Sequence, residues 1–324
     1  MKKTLLIALL GAALSGCGNG GGSAGSSTGT LSFNITDAPV DDADHVVVTI
    51  DKVTLRREGA DDIVVDRFTI PSLSLNDEDT FQIDLLDYQQ GRKVLIIDGL
   101  EVPAGTYSQL ILEVIDNDLN ASYVEIASTR TPIKQPSHQL KLGGFTVDAS
   151  GVYTYTLDFD LRQAMTYNPG PDRYILKPRG VRIISEELAG SLSGTIDENL
   201  FDTSYDCSIK DDPTKGNVVY LYQGDEITGT LTDIFDPDLA TGVPADAVRP
   251  YAAATVYYDD SNSSWRYFIG SLPAGAYTVA FSCNAEADAA ESYDEITISL
   301  PSDAQATTTI SAGQNATVNF VQSP

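Results

Sequence analysis

Side chains able to carry hydrolytic chemistry are few in this 324-residue chain, and carboxylates dominate them. The sequence contains two histidines, His45 and His138, and it has no H-E-x-x-H or G-x-S-x-G pattern. A hydrolase needs a nucleophile with a nearby base, or a metal with an open coordination position. Because 46 Asp and Glu residues make chance pairs of acids common, no single pair is informative. We therefore expect no enzymatic activity; the alternative is a glycan- or peptide-active hydrolase that uses paired carboxylates.

Calcium is the cofactor that the acid pattern fits best. Asp116, Asp118 and Asn120 stand at D-x-D-x-N spacing, which would supply several hard oxygen ligands from one loop. The Gly and the distant Glu of an EF-hand are missing. Acids that would join a calcium site, if their loops meet at one pole of a β-sandwich, are Asp37, Asp41, Asp158 and Asp160. Asp and Asn also form turns, and this alternative reading stays open.

Charge is strongly negative and unevenly distributed. The chain has 20 Lys and Arg against 46 acids, a net charge of −26, and residues 186–324 hold 4 against 22, a net charge of −18. Such a surface repels nucleic acid, which we exclude as a partner. The main concentration of cations comprises Arg173, Lys177, Arg179 and Arg182. Their expected partners are an anionic glycan, an acidic patch of the second half of the chain, or nearby acids.

Two-residue alternation of apolar and polar side chains begins at Thr30 and predicts β-strands along the whole chain. Short strands separated by Gly, Pro, Asp and Asn clusters indicate an all-β fold of two β-sandwich domains in series. The boundary falls near residues 186–190, so the predicted domains are 30–187 and 188–324. Only Leu85–Gln90 and Leu161–Met165 fit short helices. Glu295–Leu300 is predicted as a strand, and Gln223–Pro250 as a long loop or an inserted hairpin.

One short pattern occurs twice. Pro103-Ala104-Gly105-Thr106-Tyr107 resembles Pro273-Ala274-Gly275-Ala276-Tyr277. In each copy Pro and Gly favour a tight turn, and Tyr opens a strand where its ring can cover the edge of a core. We interpret both copies as structural.

The N-terminus carries the pattern of an export signal. Lys2 and Lys3 precede a short apolar run, and Leu14-Ser15-Gly16-Cys17 resembles the lipobox of bacterial lipoproteins. The resemblance implies cleavage after residue 16, acylation of Cys17 and attachment to a membrane through lipid. Residues 17–29 are rich in Gly and Ser and predict a flexible tether. Gly18 is similar to the residue that follows the anchor in lipoproteins sent to the outer membrane.

Two cysteines remain after lipidation of Cys17. Because the count is even and an exported protein meets oxidising conditions, we expect Cys207 and Cys283 to form a disulfide.

Two regions resemble known families. Residues 30–185 resemble an uncharacterised domain of bacterial lipoproteins, on the motifs Thr36–Val53 (TDAPVDDADHVVVTIDKV), Val102–Leu110, Pro136–Phe145, Leu157–Met165 (LDFDLRQAM) and Tyr174–Ile184. Residues 188–322 are similar to transthyretin-like, carboxypeptidase regulatory-like sandwiches, on Gly190–Ile196, Val218–Tyr222, Phe268–Phe281 and Gly313–Phe320. The first resemblance implies a cell-envelope setting. The second implies a spacer or an interaction surface.

Together these patterns predict a non-catalytic lipoprotein of the bacterial cell envelope that acts as a binding or structural module for a surface polysaccharide, a protein partner or a cation.

Overall fold

The computed structural model describes residues 27–38, 43–201, 207 and 210–322. We call 27–187 the first half and 188–322 the second half. The strands of the first half are β1 Thr28–Ala38, β2 His45–Arg57, β3 Ile63–Val65, β4 Phe68–Ile70, β5 Leu75–Glu78, β6 Phe81–Asp84, β7 Val94–Pro103, β8 Gly105–Val114, β9 Tyr123–Ile126, β10 Thr129–Lys134, β11 Gln139–Lys141, β12 Phe145–Val147, β13 Val152–Asp160, β14 Met165–Asn168, β15 Arg173–Leu176 and β16 Val181–Ser185. Those of the second half are β17 Ala189–Ile196, β18 Val218–Gln223, β19 Thr230–Leu231, β20 Ala247–Val248, β21 Ala252–Thr255, β22 Tyr257–Asp259, β23 Ser264–Pro273, β24 Gly275–Ser282, β25 Gln305–Ile310 and β26 Asn315–Thr317.

The predicted all-β fold is confirmed. In the first half a four-stranded sheet, ordered β16-β13-β1-β7, faces a ten-stranded sheet built on β11-β8-β2-β9-β10-β15-β14. Alternate side chains of β1, among them Leu31, Phe33 and Ile35, are fully buried in the core between the sheets. The second half stacks β22-β23-β17-β26 on β21-β18-β24-β25 and has a separate core. Each half therefore buries the apolar face of one sheet against another.

Within the described residues, helical structure is confined to short segments. One α-helix, α1, spans Leu161–Ala164 there, and 3₁₀ turns span Pro71–Leu73, Leu85–Tyr88, Pro136–His138, Pro178–Gly180 and Glu198–Leu200. Both predicted helical segments are present. Asp84 and Asp160 cap their first turns by accepting backbone N–H groups. Among the described residues, the search for a helix long and apolar enough to cross a membrane finds none.

Strand β18 is buried on both faces because two long segments cover the outside of its sheet. Val219 and Leu221 point into the main core of the second half, whereas Tyr220 and Tyr222 point into a smaller outer cluster. Ile234, Ala285 and Ala290 complete the outer cluster, together with the partly buried Ile296 and Ile298.

Two details of the covering segments differ from the sequence predictions. Within 223–250, β19 and β20 pair in parallel, so the long loop is present but the inserted hairpin is wrong. The segment 295–300 is not a strand; it contributes one bridge, between Ser282 and Leu300. Ile296 and Ile298 of this segment pack on the outer cluster. The alternation of apolar and polar residues here therefore reflects burial and not pairing in a β-sheet. Strand β1 also begins at Thr28, two residues before the predicted start of the first domain at Thr30.

The repeated Pro-Ala-Gly-x-Tyr pattern forms the same structure in both halves. It is the turn of the β7–β8 hairpin in the first half and of the β23–β24 hairpin in the second. Tyr107 and Tyr277 are buried, and each hydroxyl donates to the carbonyl four residues earlier, that of Pro103 at 2.8 Å and that of Pro273 at 2.9 Å. The tyrosine thus ties its own turn to the core.

Each of these hairpins also carries a β-bulge before the turn. Leu31 and Phe33 pair with Leu100 and Ile97. In the same way Gly190 and Leu192 pair with Leu272 and Ile269, so two residues intervene on β7 and β23 where one intervenes on the partner strand. By this register, Gly99 in the first half corresponds to Ser271 in the second.

Candidate functional site

A polar cleft of about 300 Å³ lies where the two halves meet. We call it the central cleft. From the first half it is lined by the end of β1, the segment before β7, and β13 and β16; from the second half it is lined by β17, β23 and the turn before β26. The lining residues that matter below are Asp37, Gly91, Lys93, Asp158, Arg182, Glu186, Ser191, Phe268, Gly270, Ser271 and Asn315.

Charged side chains on the first-half wall are paired with one another. Arg182 stands directly opposite Asp158 in the β13–β16 ladder, and its Nε lies 3.0 Å from a carboxylate oxygen of Asp158. Lys93 Nζ lies 2.5 Å from Glu186 Oε1. Each pair gives both ions a partner within the protein; the side chains of Lys93 and Glu186 remain partly exposed to water, whereas those of Arg182 and Asp158 are more deeply buried.

Asp160 lies behind this wall rather than on it. It is fully buried and accepts hydrogen bonds from the backbone and side-chain nitrogens of Gln163. Burial raises the pKa of Asp160 to about 6, because the charged form is poorly solvated there. The guanidinium of Arg182, 3.8 Å from its carboxylate, opposes that rise.

The second-half wall is shaped by the bulge of β23. Ser271 is 4 % exposed, has φ of +52° and has no hydrogen-bond partner for its Oγ. At the corresponding place in the first half, Gly99 adopts φ of +63° and its N–H donates to Ser32 Oγ at 3.0 Å. A positive φ is easy for glycine and costly for serine. The bulge beside the central cleft therefore holds a strained residue where its counterpart uses glycine.

Phe268 supplies an aromatic ring to the same wall. Gly91, at φ of +82°, faces this ring so closely that a Cβ there would lie 2.9 Å from Phe268 Cε1. Gly91 thus lets the first half approach the ring without covering it with a side chain. The ring remains partly exposed.

Buried ion pairs fasten the halves around the central cleft. Lys177 and Arg179 both bind the carboxylate of Asp236, which is 2 % exposed. Arg162 lies 3.6 Å from the buried carboxylate of Asp288, which also accepts the hydroxyl of Tyr220 at 2.6 Å. Of the basic cluster, Lys177 and Arg179 therefore meet acids of the second half, whereas Arg182 pairs with the nearby acids Asp158 and Asp160.

Arg182 adds a further contact between the halves. Its Nη1 donates to the carbonyl of Tyr251 at 2.5 Å, and its guanidinium lies 4.7 Å from the centre of the Tyr251 ring. A guanidinium over an aromatic face is attracted by the ring quadrupole.

The residues proposed as calcium ligands do not come together as one set. The side chain of Asp116 is buried and pairs with Lys134 at 2.9 Å and His138 at 2.6 Å, whereas Asp118 accepts the N–H of Asn120 in a turn. Asp37 and Asp158 both line the central cleft and Asp160 lies behind its wall, but Arg182 pairs with the carboxylates of Asp158 and Asp160. In the part of the chain that the structure describes, no group of three or more His, Cys, Asp or Glu has a metal-binding arrangement. Asp41 and Cys17 lie outside the described residues.

Each of the two histidines pairs with a carboxylate. His45 Nδ1 lies 2.5 Å from Asp84, and this hydrogen bond raises the pKa of His45. His138 is an exposed partner of Asp116. Both histidines belong to local ion pairs, away from the lining of the central cleft.

The disulfide expected from the cysteine count is present. Cys207 and Cys283 are joined, with 5.9 Å between their Cα atoms, and both are buried in the core of the second half. It closes a sequence separation of 76 residues, for which the loop-entropy model gives a stabilisation of about 4 kcal/mol.

Sequence reasoning missed Lys93, Phe268 and Ser271. The signal that could have found Ser271 lies just before the repeated turn, where Ile97-Asp98-Gly99-Leu100 matches Ile269-Gly270-Ser271-Leu272. In that comparison Ser271 stands where the first half has Gly99.

Comparisons with known proteins find that most of the first half is similar to a domain family of unknown function. Residues 28–178 match the family model "Domain of unknown function (DUF4382)", which covers most of the region in which we found the lipoprotein-domain resemblance. No curated protein matches the chain.

Similar solved structures are distant. A leucine-rich repeat protein from Bacteroides thetaiotaomicron has 12 % identity over 92 % of this chain and 26 % of its own, with a TM-score of 0.21. The minor pilin GBS52 of Streptococcus agalactiae has 15 % identity over 91 % of this chain and 98 % of its own, with a TM-score of 0.18. A candidate cell adhesion protein from Bacteroides fragilis has 10 % identity over 91 % and 94 %, with a TM-score of 0.22. This chain spans about a quarter of the first of these, and at such TM-scores none of the three carries an argument.

Proposed function

We propose that this protein is a lipid-anchored, non-catalytic binding module of the bacterial cell envelope, and that its ligand surface is the central cleft. The main support for this proposal is that Lys93 and Arg182 on the cleft wall are each paired with a carboxylate of the same wall. A wall with paired charges offers fixed hydrogen-bonding groups to a ligand.

The same pairing argues against the hydrolase alternative. Acids do converge at the cleft, as a paired-carboxylate enzyme would require. The lining carboxylates of Glu186 and Asp158 are, however, already bound by Lys93 and Arg182, so neither is free to act on a substrate. Asp160, whose pKa is raised, is fully buried and is not among the lining residues.

The fastening of the halves supports a binding role. A ligand site made by two bodies is precise only when they keep their relative position. The ion pairs of Asp236 and Asp288 join the halves on buried side chains. We propose that these halves are the two domains expected from the sequence, with the first beginning at Thr28.

The anchor is proposed from the sequence motif at Cys17. Detergent-phase partition of the full chain and of Cys17→Ser tests it. Wild type should enter the detergent phase and Cys17→Ser should lose the acyl mass at this residue; equal partition without acylation would refute the anchor.

Binding is tested on a glycan array and on isolated envelope polysaccharides, with the purified full chain in detergent. We expect saturable binding with no new reducing ends released. Release of reducing ends by wild type, abolished in Asp158→Asn, would favour the hydrolase.

A further inference from the structure

We propose that the central cleft binds one neutral sugar ring at the end of a glycan, with the ring against Phe268 and a hydroxyl hydrogen-bonded to Ser271. The inference rests on the proposed function and gives it a ligand class. Three independent features of the cleft lead to it.

Strain at Ser271 is the first feature. A side-chain hydroxyl that is buried without a partner is costly, and a serine at positive φ adds to that cost. The matching bulge of the first half avoids both costs with Gly99. A ligand hydroxyl that pairs with Ser271 Oγ would give this residue the partner that the protein does not.

The charge pattern is the second feature. An anionic ligand would have to compete with Asp158 for Arg182 and with Glu186 for Lys93, because both cations are already bound. An apolar ligand would remove these ions from water without replacing their hydrogen bonds. A neutral polyhydroxyl ligand can donate to the carboxylates and accept from Lys93 while the ion pairs stay intact.

Size and shape are the third feature. A volume of about 300 Å³ stands at the lower end of the range for small-molecule pockets, which suits a single ring rather than a chain. Phe268 offers a flat apolar surface that neither Gly91 nor Gly270 covers with a side chain. The C–H face of a sugar ring packs on such a surface while its edge meets the polar wall.

Ser271→Gly is the most informative variant. It removes the hydroxyl, and it copies the residue at the matching position of the other bulge. Because glycine accepts the positive φ, we expect the melting temperature to be unchanged or raised, while affinity falls at least tenfold. If Ser271 had only a structural role, the variant would not lose affinity while keeping its melting temperature.

Isothermal titration of the full chain, with the free terminal monosaccharide of the best array glycan, measures the effect. Phe268→Ala should also lower affinity at least tenfold. The matched control is Tyr258→Ala, which removes an exposed aromatic ring that packs on Trp265 outside the cleft, and it should bind as wild type does.

The outcomes separate the inference from the proposed function. Full affinity in Ser271→Gly and Phe268→Ala, with loss in Tyr258→Ala, would overturn the cleft site and leave a binding module with its site at the β22–β23 edge. Preference for acidic glycans would overturn the ligand class. Failure of wild type to bind any array glycan or envelope polysaccharide would overturn both proposals.

Discussion

At the scale of single residues, register decides what a carboxylate does. Asp158 looked like a calcium ligand because it stands near Asp160 and in a loop-rich chain. The antiparallel β13–β16 ladder instead places Asp158 opposite Arg182. The carboxylate therefore pairs with this guanidinium. The sequence shows both residues but not their register, which depends on how the chain folds over a sequence separation of 24 residues.

Asp233 gives a pH-dependent prediction at this scale. It is fully buried, and burial, with Asp288 and Asp294 nearby, raises its pKa to about 7. A folded-state pKa above the unfolded value means that the folded protein binds more protons between about pH 4 and pH 7, so stability falls as pH rises through this window.

Asp233→Asn removes this titration while keeping an oxygen for the backbone N–H groups of Asp294 and Ile296. We expect the decrease in melting temperature between pH 5 and pH 8 to shrink by several degrees, for a free-energy change on the order of 2 kcal/mol. The exposed Asp225→Asn is the control and should keep the wild-type pH profile. An unchanged profile in Asp233→Asn would show that Asp233 is ionised throughout.

Sequence reasoning reached the ion partners of the basic cluster and failed at Ser271. The composition shows that acids far outnumber bases in this chain. Lys177 and Arg179 could therefore be expected to pair with acids. A positive φ at serine leaves no compositional trace. Only comparison of the two bulges would have revealed it.

At the scale of elements, the buried tyrosines of the two hairpins make equivalent contributions. Tyr107→Phe and Tyr277→Phe each keep the ring and delete one hydroxyl that donates to a proline carbonyl. Each should destabilise the protein by about 1 kcal/mol in chemical denaturation.

The double variant should lose the sum of the two, because the tyrosines occupy separate cores and share no partner. Tyr153→Phe is the matched control, since its hydroxyl contacts an exposed carboxylate, that of Asp148, and it should change stability by less than about 0.5 kcal/mol. A cost in Tyr153→Phe equal to that in Tyr277→Phe would contradict the role of the turn contact.

Strands were predicted well where one face is buried and poorly where a segment covers a sheet. The alternation of β1 and β24 follows directly from packing between two sheets. Residues 295–300 alternate in the same way, yet they cover the outer cluster and do not pair. Both arrangements bury every second side chain, so the pattern alone cannot separate them.

At the scale of the whole molecule, buried ion pairs hold the central cleft together. Asp236→Ala would leave Lys177 and Arg179 facing each other without their shared carboxylate. Loss of one partner from a buried pair costs about 3–5 kcal/mol. We expect a loss of this size and the separation of one calorimetric transition into two, as the halves begin to unfold independently.

Asp238→Ala is the matched control, because Asp238 also binds Arg179 but its side chain is 78 % exposed. An exposed pair is worth less than about 1 kcal/mol. Two calorimetric transitions in wild type, or equal losses of stability in Asp236→Ala and Asp238→Ala, would contradict the claim that the ion pairs of Asp236 hold the two halves together.

Hydrogen–deuterium exchange on the full chain, with and without the terminal sugar of the best array glycan, tests the central claim most directly. The account predicts slower exchange at residues 90–93, 268–272 and 313–315, and no change along residues 218–223, which lie in a buried strand away from the cleft lining. Saturating sugar that protects only residues outside these three segments would contradict it.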